Sequence, residues 1–82
     1  MRFDVVLNAL HLYKSRSQAR VAIQTGTVLL NGARVKPSHA VAPGDRITIG
    51  GARGARTLEL LELPGPSLSK EAAKSKLREV AE

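Results

Sequence analysis

Ser15, Gly26 and the pair Asn31-Gly32 constrain the fold more tightly than anything else in this chain of 82 residues. Ser15-Arg16-Ser17-Gln18 has the form of a capping box: a hydroxyl at the N-cap and Gln three residues on, each reaching the other's free backbone N–H. A helix then runs from Arg16 to about Thr25, and Gly26 stops it in the left-handed conformation that glycine adopts without steric cost. Ala19, Ala22 and Ile23 form its buried face, with Arg16, Arg20 and Gln24 as the adjoining stripe. Thr27 to Leu30 reads as a strand, Asn31-Gly32 as a type I′ turn, and Arg34-Val35 as the returning arm of a hairpin.

The remaining elements follow by the same reasoning. Phe3, Val6, Leu7, Leu10 and Tyr13 recur as one face of a first helix, from about Phe3 to Leu12, with Asp4, Asn8 and His11 on the opposite face. Val5 and Leu12 lie off both faces and give this helix a second apolar edge. Pro37-Ser38 and Pro43-Gly44-Asp45 punctuate a loop. Arg46 to Ile49 and Arg56 to Leu63 alternate as half-buried strands, with Leu58, Leu60 and Leu63 inward and Gly50 to Gly54 as the turn between them. After Pro64-Gly65-Pro66, Ser69 caps a last helix through Val80 whose stripe, Ala73, Leu77 and Val80, is thin. That helix is marginal by itself and needs a docking surface to be ordered. The fold class expected is α+β: two helices on a small, mostly antiparallel sheet, plus a short C-terminal helix.

A single domain of this size buries only ~60% of the surface its unfolded chain exposes, which leaves no room for a deep substrate cavity. The formal charge is +6, and it is uneven: residues 1–56 carry +7 and residues 57–82 carry −1. The basic character therefore belongs to the expected core, and it favours a polyanionic partner. Without cysteine there is no disulfide and no thiolate chemistry. Asp4, Asn8 and His11 interrupt any signal-peptide core. No apolar run approaches the ~20 residues that span a bilayer. A soluble, cytoplasmic, monomeric protein without membrane contact is expected.

Arg16 and Arg20, one helical turn apart, can straddle two phosphates, and Lys14 with the N–H groups of the helix start adds donors beside them. Most Arg pairs at this spacing are simply solvated. Arg2, Arg34 and Lys36 strengthen the binding reading because a compact fold can bring them to the same side. Phe3 and Tyr13, the only Phe, Tyr or Trp residues, both fall on the core face. Base stacking on a single strand is therefore disfavoured, and structured RNA read by shape and phosphate is favoured. His11 and His39 lack metal-ligand spacing, so no metal or cofactor is expected. Asp4, in a helix's first turn, and Asp45, in a Gly-Asp turn, have ordinary structural placements. Gly50 to Gly54 lacks phosphate-loop spacing and is either a solvated tip or one whose arginines touch RNA. Nothing assembles a nucleophile, a base and an oxyanion site, so the chain reads as a non-enzyme.

Arg2-Phe3-Asp4, Leu7, Lys14-Ser15-Arg16-Ser17-x-Ala19-Arg20, Gly26-x-Val28, Asn31-Gly32, Lys36-Pro37-Ser38 and Gly44-Asp45-x-Ile47 together resemble the S4 RNA-binding domain family, over about Met1 to Ile49. Phe3, where the family commonly has Leu, and Val5, where a charge is frequent, depart from the pattern. The resemblance implies the two-helix fold, an S4 domain over 1–63 and a linker with a short helix over 64–82. Carried over by position, it implies an RNA-facing set of Arg2, Lys14, Ser15, Arg16, Ser17, Arg20, Arg34 and Lys36. As an S4 domain that is almost the whole chain, the sequence resembles the RqcP group of ribosome quality-control factors and is similar to the small heat-shock S4 protein. That likeness implies binding to 23S rRNA and tRNA on obstructed large (50S) subunits that still carry peptidyl-tRNA, beside a partner protein that adds C-terminal alanines to the stalled chain. Three alternatives stay open: a ribosome-assembly or translation factor, an RNA-targeting subunit of a separate modifying enzyme, and a protein-interaction module docking through Val5/Leu12 and the last helix.

Overall fold

A computed structural model describes residues 1–51, 54–65 and 69–80. In chain order the elements are α1 (Phe3–Ala9), α2 (Arg16–Gln24), β1 (Val28–Leu30), β2 (Arg46–Ile49), β3 (Arg56–Leu60), α3 (Lys70–Lys74) and β4 (Leu77–Val80). The four strands form one antiparallel sheet in the order β1-β2-β3-β4. This is the α+β class expected, with α1 and α2 packed together over one face of the sheet.

Register decides which strand residues are buried, because directly paired residues point to the same face. Leu30 pairs with Ile47 and Ile47 with Leu58, and this row faces the helices. Leu29, Thr48, Thr57 and Val80 form the opposite row, where the Thr48 and Thr57 hydroxyls meet at 3.0 Å. The helices contribute Phe3, Val6, Leu7 and Leu10 from α1 and its end, and Ala19, Ala22 and Ile23 from α2. The expected Leu58 and Leu60 are buried, but Leu63 is exposed, because β3 ends at Leu60 and the alternation ends with it.

α1 is shorter than its periodicity predicts. His11 takes a positive φ of 60°, the Leu12 N–H donates to the Leu7 carbonyl at 3.1 Å, and the His11 N–H donates to that of Asn8 at 3.0 Å. These are the two bonds of a Schellman termination. Leu12 and Tyr13 thus fold back onto the core from a turn instead of continuing the helical stripe.

The Asn31-Gly32 turn forms as expected, with φ of 51° and 79° and reciprocal 3.0 Å bonds between Leu30 and Ala33. Its returning arm, however, is not a strand: pairing stops at the single Leu30–Ala33 bridge. Arg34 donates to the Gln24 carbonyl and Val35 packs on the core, which turns the chain away. The partner of β1 is β2, 16 residues further on in the Leu30–Arg46 sense, tied by Asn31 N–H to the Arg46 carbonyl (2.7 Å) and Arg46 N–H to Asn31 Oδ1 (2.9 Å).

The C-terminal segment differs most from expectation. Ser69 does cap a helix, its Oγ accepting the Ala72 N–H at 3.2 Å, but α3 ends at Lys74 and Leu77–Val80 is a strand paired with β3. A thin apolar stripe cannot hold a longer helix, whereas β3 offers an unpaired edge. Leu60 pairs with Leu77, and Ala73 seals the core beneath. Removing residues 69–82 would uncover Leu60 and should cost about 2–3 kcal/mol by the burial of one such side chain. The check is a urea titration, in which the midpoint should fall. An unchanged midpoint would show that this segment adds nothing to the fold.

Candidate nucleic-acid interface

The first residues of α1 set the geometry. The Phe3 and Asp4 N–H groups donate to the His39 and Pro37 carbonyls at 2.9 and 3.1 Å, and the Val41 N–H donates to the Met1 carbonyl at 2.9 Å. The start of the chain is thereby laced to the 37–41 loop, and Asp4 is fully buried at the seam. That corrects its expected place on the polar side of α1. A buried carboxylate has to be hydrogen-bonded or paired, and Asp4 is both. Its Oδ1 accepts the Val5 N–H (2.8 Å) and Arg2 Nε (3.1 Å), and its Oδ2 accepts Arg2 Nη2 (3.1 Å), with Arg20 Nη2 at 3.7 Å. Arg2 therefore meets Asp4 as a two-pronged fork, the geometry in which Arg–carboxylate pairing is strongest.

α2 presents the other cations. Ser15, in extended conformation, accepts the Gln18 N–H at 3.1 Å, and Ala19, Ala22 and Ile23 fix the helix against the core. Arg16, Arg20 and Gln24 follow one another along its exposed side. Arg2, Arg20 and Lys36 line one open groove with Gln24, Pro37 and Ser38. With Asp4 beneath, three cations against one carboxylate leave that groove positive. Both arginine side chains remain 48% exposed while their guanidinium groups lie against Asp4.

The expected set is only partly brought together. Arg2, Arg20 and Lys36 share the groove, and Arg16 lies one turn before Arg20. Arg34 sits at the far end of α2, where its Nη2 donates to the Gln24 carbonyl, a favourable place for a cation at a helix C-terminus. Gly26 allows this approach: a Cβ there would lie 3.2 Å from Arg34 Nε. Ser15 is occupied as the helix cap. Lys14 lines a separate depression with Asn8, Tyr13 and Lys70, and Ser17 flanks an apolar spot made by Tyr13 and Val21. The Asn8 side chain donates to the Tyr13 carbonyl at 3.2 Å, fixing the α1–α2 turn that carries Lys14. Burial pushes the Tyr13 phenol above its ordinary pKa, so it stays a neutral donor at neutral pH. Arg53 lies outside the described residues, and Arg56 is ion-paired with Glu79 at 3.0 Å.

Asp4 is the candidate site residue that sequence reasoning undervalued. Its neighbour Arg2 and the cation excess of the first 56 residues were the available signal, but helical periodicity assigned it to solvent.

A family model described as the S4 domain matches residues 1–47. The RQC P-site tRNA stabilizing factor of Bacillus subtilis is 33% identical over 73 residues, covering 89% of this chain and 85% of that protein. The small ribosomal subunit protein uS4 of Thermus thermophilus is 43% identical over 61 residues, 73% of this chain but 28% of uS4. Among solved structures, trimeric Heat Shock Protein 15 of Vibrio cholerae superposes with a TM-score of 0.91 at 33% identity, over 99% of this chain and 82% of that one.

Asp4→Asn removes the charge that holds Arg2 and Arg20 and should cost about 1.5–3 kcal/mol of stability, the range for hydrogen bonds to a charged group. Its net charge rises by one, so simple electrostatics would tighten polyanion binding. If Asp4 acts by positioning, affinity for structured RNA should instead fall. Chemical denaturation and filter binding measured on the same variant check the two expectations.

Proposed function

Because the chain belongs to the S4 domain family, we propose that its Arg2–Arg20–Lys36 groove and the exposed side of α2 bind structured RNA on the ribosome, without catalysis. The observation that carries this reading is the buried Asp4, which pairs with two half-exposed arginine side chains at the rim of a groove shared with Lys36. Arg16 and Arg20 contact phosphates from successive turns of α2. Lys14 and Lys36 widen the contact on either side, and Ser17 with the N–H groups of the helix start fixes register. Arg34 and Ser15 act chiefly by finishing the two ends of α2.

The finer assignment is an adaptor on obstructed large subunits carrying peptidyl-tRNA, contacting 23S rRNA and tRNA as a monomer while a partner protein extends the stalled chain with alanines. It is supported by the likeness to the P-site tRNA stabilizing factor, which takes in most of both chains and not the S4 segment alone. A second reading, contact with rRNA without tRNA, is favoured by the higher identity to uS4, although this chain spans little more than a quarter of that protein. Fractionation of lysate on a sucrose gradient separates the two. Migration with large subunits bearing tRNA supports quality control, and migration with precursor particles supports assembly.

Two further outcomes are expected. With about five phosphates neutralised, log K should fall with log salt at a slope of about −3.5 to −4.5, and an affinity insensitive to salt would oppose the reading. Arg16→Gln/Arg20→Gln removes both charges without setting a new carboxylate against Asp4. It should weaken subunit binding about tenfold or more and flatten the slope by roughly two contacts' worth. Circular dichroism should stay near wild type, and retained binding would remove α2 from the interface.

A further inference from the structure

A second concave surface lies where the α1–α2 turn, the β3–β4 edge and α3 meet. Its floor is aliphatic, formed by Leu10, Leu12, Leu58, Ala73 and Leu77. Lys70, Lys74, Arg56 and His11 stand at its rim. The one carboxylate lining it, Glu79, is held by Arg56 at 3.0 Å. Among the described residues Lys70 and Lys74 have no ion-pair partner. They stand at i and i+4 on α3, where like charges repel and weaken an isolated helix. Lys74, in the last turn, suits the helix dipole, whereas Lys70, at the helix start, does not, so helix stability does not account for Lys70. The Arg2–Arg20–Lys36 groove shares no residue with this cleft.

We propose that this cleft receives an acidic amphipathic peptide segment of a partner protein, its apolar side chains on the leucine floor and its carboxylates against Lys70 and Lys74. The floor decides between peptide and RNA. An aliphatic floor with no aromatic ring offers a single strand no stacking, and a folded RNA, which presents phosphates and 2′-OH groups, would leave that apolar floor unfilled. A helix or extended segment with Leu-like residues on one side fills such a floor in the manner of groove-bound peptides. The excess of cations selects acidic neighbours and disfavours basic ones. This goes beyond the RNA reading and does not depend on it.

The test uses the full chain and a fluorescein-labelled synthetic peptide about three helical turns long, with Leu on one face and Glu elsewhere. One control replaces Leu by Ser at constant charge, and another replaces Glu by Lys at constant apolar pattern. The Leu/Glu peptide should bind, with amide shifts at Leu10, Leu12, Leu58, Ala73 and Leu77, while both controls should bind about tenfold more weakly or worse. Lys70→Glu/Lys74→Glu, changes at two exposed positions, should weaken the peptide at least about tenfold, ~1.4 kcal/mol. Lys70 also lines the depression that holds Lys14, so the control for RNA is Lys74→Ala alone. That variant should weaken the peptide while lowering affinity for structured RNA by no more than the loss of one charge. Equal binding of the Ser control, shifts confined to the Arg2–Arg20–Lys36 groove, an unaffected Lys variant, or displacement of the peptide from the cleft by RNA would each overturn the proposal. Failure of RNA binding itself is read separately, from Arg16→Gln/Arg20→Gln.

Discussion

One buried carboxylate organises this molecule. Asp4 sits at the seam where the beginning of the chain is laced to the 37–41 loop, and it draws Arg2 from its own helix start and Arg20 from α2. Three pieces of chain, distant in sequence, are thereby fixed relative to one another. The charge would be costly there alone, since an unpaired carboxylate loses its hydration on burial. Two cations and a backbone N–H offset that cost, and they do so only in one arrangement. The same contact that makes burial tolerable sets where the cations stand.

The hydrophobic layer beneath makes that arrangement rigid. Phe3, Val6 and Leu7 on α1 and Ala19, Ala22 and Ile23 on α2 bury against Val28, Leu30 and Ile47 of the sheet. The small alanines let the two helices approach closely enough for Arg20 to reach across to Asp4. At the other end, β4 covers the edge of β3 and Ala73 closes the core. An unpaired, apolar edge on β3 would invite pairing with other chains. The last segment thus completes the sheet as well as forming one wall of the second cleft.

Local signals were legible and non-local ones were not. The Ser15 cap, the Gly26 stop and the Asn31-Gly32 turn are short-range devices, and each appears where its residues stand. The buried sides of α1 and α2 follow from periodicity. What periodicity could not show is which strand completes a pair: β1 takes β2 instead of the arm after the turn, and Leu77–Val80 becomes a strand because β3 has an edge to fill. Asp4 was misplaced for the same reason, since its burial depends on a loop more than thirty residues away. Lys70 and Lys74 belong to a stretch of net negative charge, and only folding sets them beside His11 and Leu12.

The Asp4 contacts bear on how a cationic groove can be both neutralised and active. A free arginine loses about 2 kcal/mol of rotamer freedom when a ligand fixes it, which opposes every phosphate contact it makes. Arg2 commits two of its donors to Asp4 and Arg20 makes one longer contact, so part of that ordering is complete before any ligand arrives. The cost is one negative charge near the groove. That charge is fully buried and the arginine side chains paired with it are half exposed, so an approaching phosphate meets the cations first. A guanidinium carries five N–H donors in a fixed plane, and using one side of the fork on Asp4 aims the other outward. Lysine's three donors turn freely about one nitrogen and carry no such fixed direction. The pairing therefore exchanges some long-range attraction for direction, which suits a partner recognised by the shape of its backbone more than by its total charge.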